Sequence, residues 1–347
     1  MAPVEWPIAA RSDDRAAKPT RRVDRDRLPT VRADFFLDAS ARLTEQERSL
    51  MTAMLADLVA AVADEVRAAA QLRSAANDDS ADLYERLSAS GLLDIPQVIA
   101  VLLCRAEQER VAATIRAPGS ATPATFLHIL AANDDAEVSA AAMAVILGRS
   151  RRRDRFDAPR LDLDDVPADA AVNFVYVVLA AVREEEGAAG PEADRRLADG
   201  ARSVLARHDE GKRMEGLWFA LVHALDGAGQ LDDETLRSAL GDGEIGIFTE
   251  ILSRRAGVDF GTAWKRVAAG GSELACLLRM AAVPREVAAE IAAAMSDSGS
   301  TGPAELIGLF DSLSDEAVEN ARGWLRLDPH YREAISALGG ADGNATR

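Results

Sequence analysis

Apolar side chains recur at helical spacing along nearly the whole of this chain. Between Arg42 and Val66 they fall at Leu43, Leu50, Met54, Leu58, Val62 and Val66. A spacing of mostly four residues lines one face of an α-helix, whereas a strand requires alternation. The pattern returns from segment to segment until past Trp324. The segment Phe174 to Val178 is β-prone by residue type. It lies inside a longer apolar run, Ala170 to Val182, and reads as helix. The expected fold is all-α, a multi-helix bundle or an irregular helical-repeat-like array.

Helix signals divide the chain. Thr44 followed by Glu47 fits a capping box and opens a helix predicted to run to about Arg73. Asn77-Asp78-Asp79-Ser80 reads as a turn, and Gly91 ends the short helix after it. Asp94 and Pro96 start the next, which runs to about Ile115. Thr122-Pro123 opens a helix to Ala132, Asp135 another to Leu147, and Pro167 a very apolar one to Val182. Further helices are predicted at Pro191–Arg207, Met214–Leu225, Asp233–Leu240, Ile245–Ala256, Asp259–Ala268, Glu273–Ala281, Pro284–Met295, Pro303–Leu313 and Asp315–Leu327.

The least helical internal stretch is Gly148 to Pro167. The expected organisation is therefore a disordered arm over 1–33, helical domains over 34–148 and 167–338, a linker over 149–166, and a frayed tail over 339–347. The arm is interrupted by Pro3, Pro7, Pro19 and Pro29 and carries charges of both signs. At 347 residues the chain has room for one large or two medium domains. Much of its 48% hydrophobic content is alanine, and small side chains permit close helix contacts.

Three segments resemble a bacterial family, frequent in alphaproteobacteria, catalogued as domain of unknown function 2336. They are Phe35-Phe36-Leu37 with Leu43-Thr44-Glu45-Gln46-Glu47-Arg48-Ser49-Leu50-Met51, then Leu58-Val59 to Glu65-Val66-Arg67, then Gly91-Leu92-Leu93-Asp94-Ile95-Pro96-Gln97-Val98-Ile99. Leu240 to Met280 has the same general texture. The resemblance implies an all-helical fold of irregular repeats. It supplies no catalytic residues.

Charge and composition exclude several function classes. A formal charge of −17 repels a polyanion, so no nucleic-acid partner is expected. The longest apolar run is shorter than the roughly 20 residues a spanning helix needs, so no membrane partner is expected. The opening MAPVEWPIAARSDD has no hydrophobic signal core, which points to the cytoplasm. Cys104 and Cys276 lie within apolar runs and read as buried free thiols. With four His and two Cys, and no ligand spacing among them, no metal or other cofactor is expected.

The sharpest chemical candidate is His208, in His208-Asp209-Glu210-Gly211-Lys212-Arg213. A phosphoacceptor histidine needs an exposed helix, an acidic neighbour and cations near the phosphate. Gly211 would weaken a continuing helix, and the competing reading is a helix C-terminus, where the dipole favours a protonated imidazole and Asp209 starts a turn. His128 and His223 read as packed helix residues, and His330 as exposed.

A second candidate is the cluster Arg149, Arg151, Arg152, Arg153 and Arg155, which could grip an anion or an acidic partner. Its alternative is a solvated linker after a helix end. Gly241-Asp242-Gly243-Glu244-Ile245-Gly246 has the form G-x-G-x-x-G, but no strand precedes it, so a dinucleotide site is not expected. Asp232-Asp233-Glu234 reads as a helix start. Glu184-Glu185-Glu186 with Asp162, Asp164 and Asp165 could bind a divalent cation, but such a cluster reads more simply as solvated.

These readings imply a non-enzymatic helical protein that works through a protein partner, such as a signalling adaptor, with a homo-oligomer as one form. Two alternatives stand beside it. One is a histidine phosphotransfer or kinase-like protein using His208. The other is a small-molecule sensor with a pocket between helices.

Overall fold

The computed structural model describes residues 42–72, 77–115, 125–187, 190–295 and 301–328, with 330–332, 334, 335 and 338 after them. The expected arm over 1–33, the resembling segment at Phe35, and the tail over 339–347 lie outside the described residues. Among the described residues the chain is all-α. The described residues up to Leu325 include fifteen α-helices and two short 3₁₀ turns, and the β-type pairing among the described residues is an isolated bridge between Arg153 and Pro159.

A first hydrophobic cluster is built by α1 (Glu45–Ala69), α2 (Asn77–Ser90), the start of α3 (Pro96–Ile115), α6 (Ala168–Glu185) and α7 (Pro191–Leu205). The periodic positions of α1 do what their spacing predicts: Met54, Leu58, Val62 and Val66 are at most 2% exposed. The run that begins at Ala170 is central to this cluster, with Phe174, Val175, Val178 and Val182 fully buried. Arg67 is also enclosed, and its guanidinium donates to Glu185 at 2.9 Å across the α1–α6 contact.

A second cluster gathers the end of α3 with α4 (Thr125–Ala131), α5 (Ala136–Arg151) and the helices from α8 (Met214–Gly227) onward. Those are α9 (Asp233–Gly241), α10 (Ile245–Ala256), α11 (Phe260–Ala269), α12 (Gly271–Met280), α13 (Arg285–Ala294), α14 (Pro303–Ser312) and α15 (Asp315–Leu325). Helix α10 is the most enclosed: every residue from Ile245 to Ser253 is buried. It packs against α8, α9, α11, α12 and α3. Its burial takes in the polar Thr249, Glu250 and Ser253, so neighbouring helices cover more than its apolar face.

Local caps start these helices. The Asp135 carboxylate accepts from the N–H groups of Glu137 and Val138, and Asp232 accepts from that of Thr235.

The two clusters do not follow chain order. Helix α3 serves both, Leu102 in the first and Val111 in the second, while α5 packs on α8. Helices from both expected domains, 34–148 and 167–338, contribute to each cluster, and the described residues from Glu45 onward group as one compact unit. The stretch 149–166 is built into it. Helix α5 runs on to Arg151, and Leu163–Asp165 forms a 3₁₀ turn with a capping box from Asp162. None of the described helices is long and apolar enough to cross a membrane.

Candidate functional site

The end of α5, the middle of α3 and the start of α10 line a half-open cavity of about 60 Å³. Its wall holds five arginines, Arg105, Arg149, Arg152, Arg153 and Arg160, against two glutamates, Glu109 and Glu244. Trp218 of α8 and the turn Gly243–Gly246 complete it. The lining alone is net positive, and Asp165, Asp57 and Glu215 behind it pair with three of these arginines.

The five arginines differ in how far they are engaged. Arg152 is buried and locked: Nε and Nη2 donate to Asp165 at 2.7 and 2.8 Å, Nη1 to the Gly148 carbonyl, and Nη2 also to the Lys212 carbonyl. Arg153 donates to both carboxylate oxygens of Glu109, at 2.6 and 2.8 Å. Arg149 pairs with Glu244, and Arg160 with Asp57 at 3.2 Å.

Arg105 is the exception. It is 8% exposed and donates from Nη1 to Gln108 at 3.0 Å. Its ion-pair partner Glu215 stands at 3.8 Å, beyond hydrogen-bond reach, and its Nε has no acceptor. The guanidinium carbon lies 5.3 Å from the centroid of the Trp218 ring. Burial opposes the charge on Arg105, and the fields of Glu215 and Asp165 more than offset it, so its pKa is raised.

The opposite wall is the first turn of α10. Its N-cap residue, Glu244, provides no side-chain cap. The opening N–H groups of a helix have no carbonyl of their own helix to bond, and they carry the positive end of its dipole. Gly243 has φ of 70°, which glycine adopts freely. A Cβ on Gly246 would lie 2.4 Å from the Trp218 ring, so only glycine lets the helix start this close to the indole. The G-x-G-x-x-G segment thus serves as a tight turn and a close packing contact, with no strand before it.

Beside the cavity, residues 153–160 form a short pinned loop. The Asp154 carboxylate accepts from the N–H groups of Phe156 and Ala158, at 2.7 and 2.8 Å. The Asp154 N–H donates to the Ala158 carbonyl, and Asp157 takes φ of 62°. At the tip Phe156 is 76% exposed, with the Arg155 guanidinium 4.7 Å from its ring centroid. Helix α5, which leads into the loop, also turns Met143 and Leu147 outward.

The cluster Arg149–Arg155 is thus split. Arg151 and Arg155 face solvent, while Arg149, Arg152 and Arg153 reach back to carboxylates on other elements. Arg152 contradicts a solvated linker, because burying its guanidinium requires the partner that Asp165 supplies.

His208 lies past the end of α7, in the turn before Glu210–Lys212, and not on a continuous helix. Its Nε2 is 2.9 Å from the Val166 carbonyl oxygen. The expectation that His128 and His223 are packed is corrected: both are on helices but face outward, and His223 stacks on Phe219 with centroids 5.9 Å apart. The acidic cluster is not merely solvated either. Glu184 pairs with Arg86, Glu185 with Arg67, and Asp165 with Arg152. Among the described residues, no three His, Cys, Asp or Glu side chains come together as a metal site.

Sequence reasoning missed Arg105, Gln108 and Trp218. The available signal was a charge within the apolar run Val101–Ala106, where a helix turns its buried face.

The model of a family described as an uncharacterised protein conserved in bacteria (DUF2336) matches residues 108–318, more than half of the chain. The match covers the cavity except for Arg105, and it includes the Leu240–Met280 segment. The resembling segments between Phe35 and Ile99 precede it. No curated protein and no solved structure matches the chain.

Proposed function

The chain belongs to this bacterial family of uncharacterised proteins, and from that premise we propose that it works by binding, as a non-catalytic helical adaptor in cytoplasmic signalling. One observation carries the reading: Phe156 stands in water at the tip of a loop that is held in one shape. Leaving a phenylalanine ring exposed forgoes about 1.5–3 kcal/mol of burial. A loop whose backbone is already fixed gives up little entropy on docking. Aromatic and arginine side chains dominate the energetics of protein interfaces, and Phe156 with Arg155 supplies both. Met143 and Leu147 of α5, the helix that leads into this loop, are exposed as well.

A photo-reactive phenylalanine analogue at position 156 tests this in the producing cell. The expected result is a discrete cross-linked adduct that is absent when the analogue replaces Glu192, an exposed polar residue of α7. The same adducts at both positions, or none at 156, would overturn the proposal.

A second reading, a sensor of a small molecule, is favoured by the arginine-lined cavity between α3, α5 and α10. The phosphotransfer alternative gains no support from the engaged, off-helix position of His208.

A further inference from the structure

We propose that the cavity between α3, α5 and α10 is a binding site for a small oxyanion, a phosphate or the phosphoryl group of a small metabolite. This deepens the sensor reading and is independent of the Phe156 interface.

Three observations converge on it. The first is Arg105, more than nine-tenths buried and lining the cavity, whose guanidinium has one hydrogen-bond acceptor among the described residues, Gln108. A buried guanidinium left short of an acceptor is costly, and an oxyanion is the ligand that completes it. The second is the start of α10, whose first residues, Ile245 and Gly246, line the same cavity and whose N-terminus has no side-chain cap. Helix N-termini of this kind hold phosphates through backbone donors and the dipole. The third is Arg149, held at the wall by the Glu244 carboxylate. That carboxylate occupies the position an incoming oxyanion would take. A phosphoryl group binding here displaces it, and Glu244, the N-cap residue of α10, has to move. Occupancy of the cavity would therefore be felt at the start of the most enclosed helix of the core.

The size and the lining suit such a ligand. A space of about 60 Å³ that opens to solvent is large enough for a phosphoryl group. Trp218 closes one side beneath Arg105.

The test is a titration of the isotopically labelled full-length chain, followed by backbone amide resonances. Sodium phosphate and glycerol 3-phosphate form separate arms, each against sodium chloride at matched ionic strength. The expected result is saturable movement of the amides of Ile245, Gly246 and Ile247 and of the Trp218 indole N–H. Saturation by phosphate alone assigns the free ion, and tighter binding of the monoester assigns a phosphorylated metabolite. Arg105→Gln should weaken binding about tenfold or more, the loss of one charged hydrogen bond. Glu244→Gln removes the competing carboxylate and should tighten it, an effect that misfolding cannot imitate. The proposal is overturned if those resonances move no more in either arm than in chloride. It is equally overturned if a folded Glu244→Gln variant binds no more tightly than the parent.

Discussion

Arg152 and Asp165 form a two-pronged ion pair with both side chains withdrawn from water, 6% and 0% exposed. Around it the end of α5, the 3₁₀ turn and the start of α8 are joined: Asp165 also accepts from the Met214 N–H, and Arg152 donates to the Gly148 and Lys212 carbonyls. Nearly every polar atom of the pair thus has a partner, the condition under which a buried charge pair is tolerated.

Removing one partner should therefore cost far more than removing both. Asp165→Asn or Arg152→Met is expected to lose about 3–5 kcal/mol in urea unfolding, and the double variant Arg152→Met/Asp165→Leu less than either. Losses below about 1 kcal/mol for the single variants would show that the pair is not buried. Burial raises the Asp165 pKa, but the Arg152 hydrogen bonds and the Arg105 charge outweigh it, and the net shift is downward. The contribution of this carboxylate is present above its unfolded pKa and is lost as pH falls through the folded value.

Glu250 has the opposite sign. It lies on α10 at 5% exposure, and burial, only partly opposed by Arg254, pushes its pKa from 4.5 to about 7. The folded state holds this proton when the unfolded state has released it, so Glu250 costs stability progressively as pH rises from about 4.5 to 7. Glu250→Gln should be neutral near pH 4 and stabilising by about 2–3 kcal/mol at pH 8. A gain that does not vary with pH would contradict this.

Gly246→Ala should destabilise despite the better helix propensity of alanine. The new methyl group meets a flat, rigid indole at 2.4 Å, and overpacking of this kind costs about 1–3 kcal/mol. Thermal unfolding followed by tryptophan fluorescence measures it, and an unchanged or raised melting temperature would refute the contact.

The cysteines should be inert in the folded protein. Burial pushes the Cys104 thiol from 9.0 up to about 12 and also raises that of Cys276. Thiolate is the reacting species, so alkylation of Cys104 at pH 8 should run about a thousandfold slower than that of a free thiol. Both should label readily in urea. Cys104 is half-buried, and its fast labelling in the native chain would contradict the raised pKa.

What was legible in the sequence was local. Helix starts could be read because a cap acts over three or four residues, as Asp135 and Asp232 do. The burial of α1 and α6 could be read because periodicity records one face. The end of α5 could not. Gly148 looked like a break, yet it lies inside the helix, where the Leu217 side chain occupies the position a Cβ would take. That contact comes from α8 and leaves no mark beside Gly148. The grouping of helices into two cores was hidden for the same reason. So was the cavity, whose Arg105, Trp218 and Gly246 meet only in three dimensions.

Of the proposed roles, partner recognition through Phe156 is tested most directly by one chromosomal substitution. Phe156→Asp alters an exposed tip and should change stability by no more than about 0.5 kcal/mol. The account predicts that cells carrying it hold the protein at its normal level, yet show the phenotype of a strain lacking the gene. A Phe156→Asp strain indistinguishable from the parent, with the protein present and folded, would contradict it.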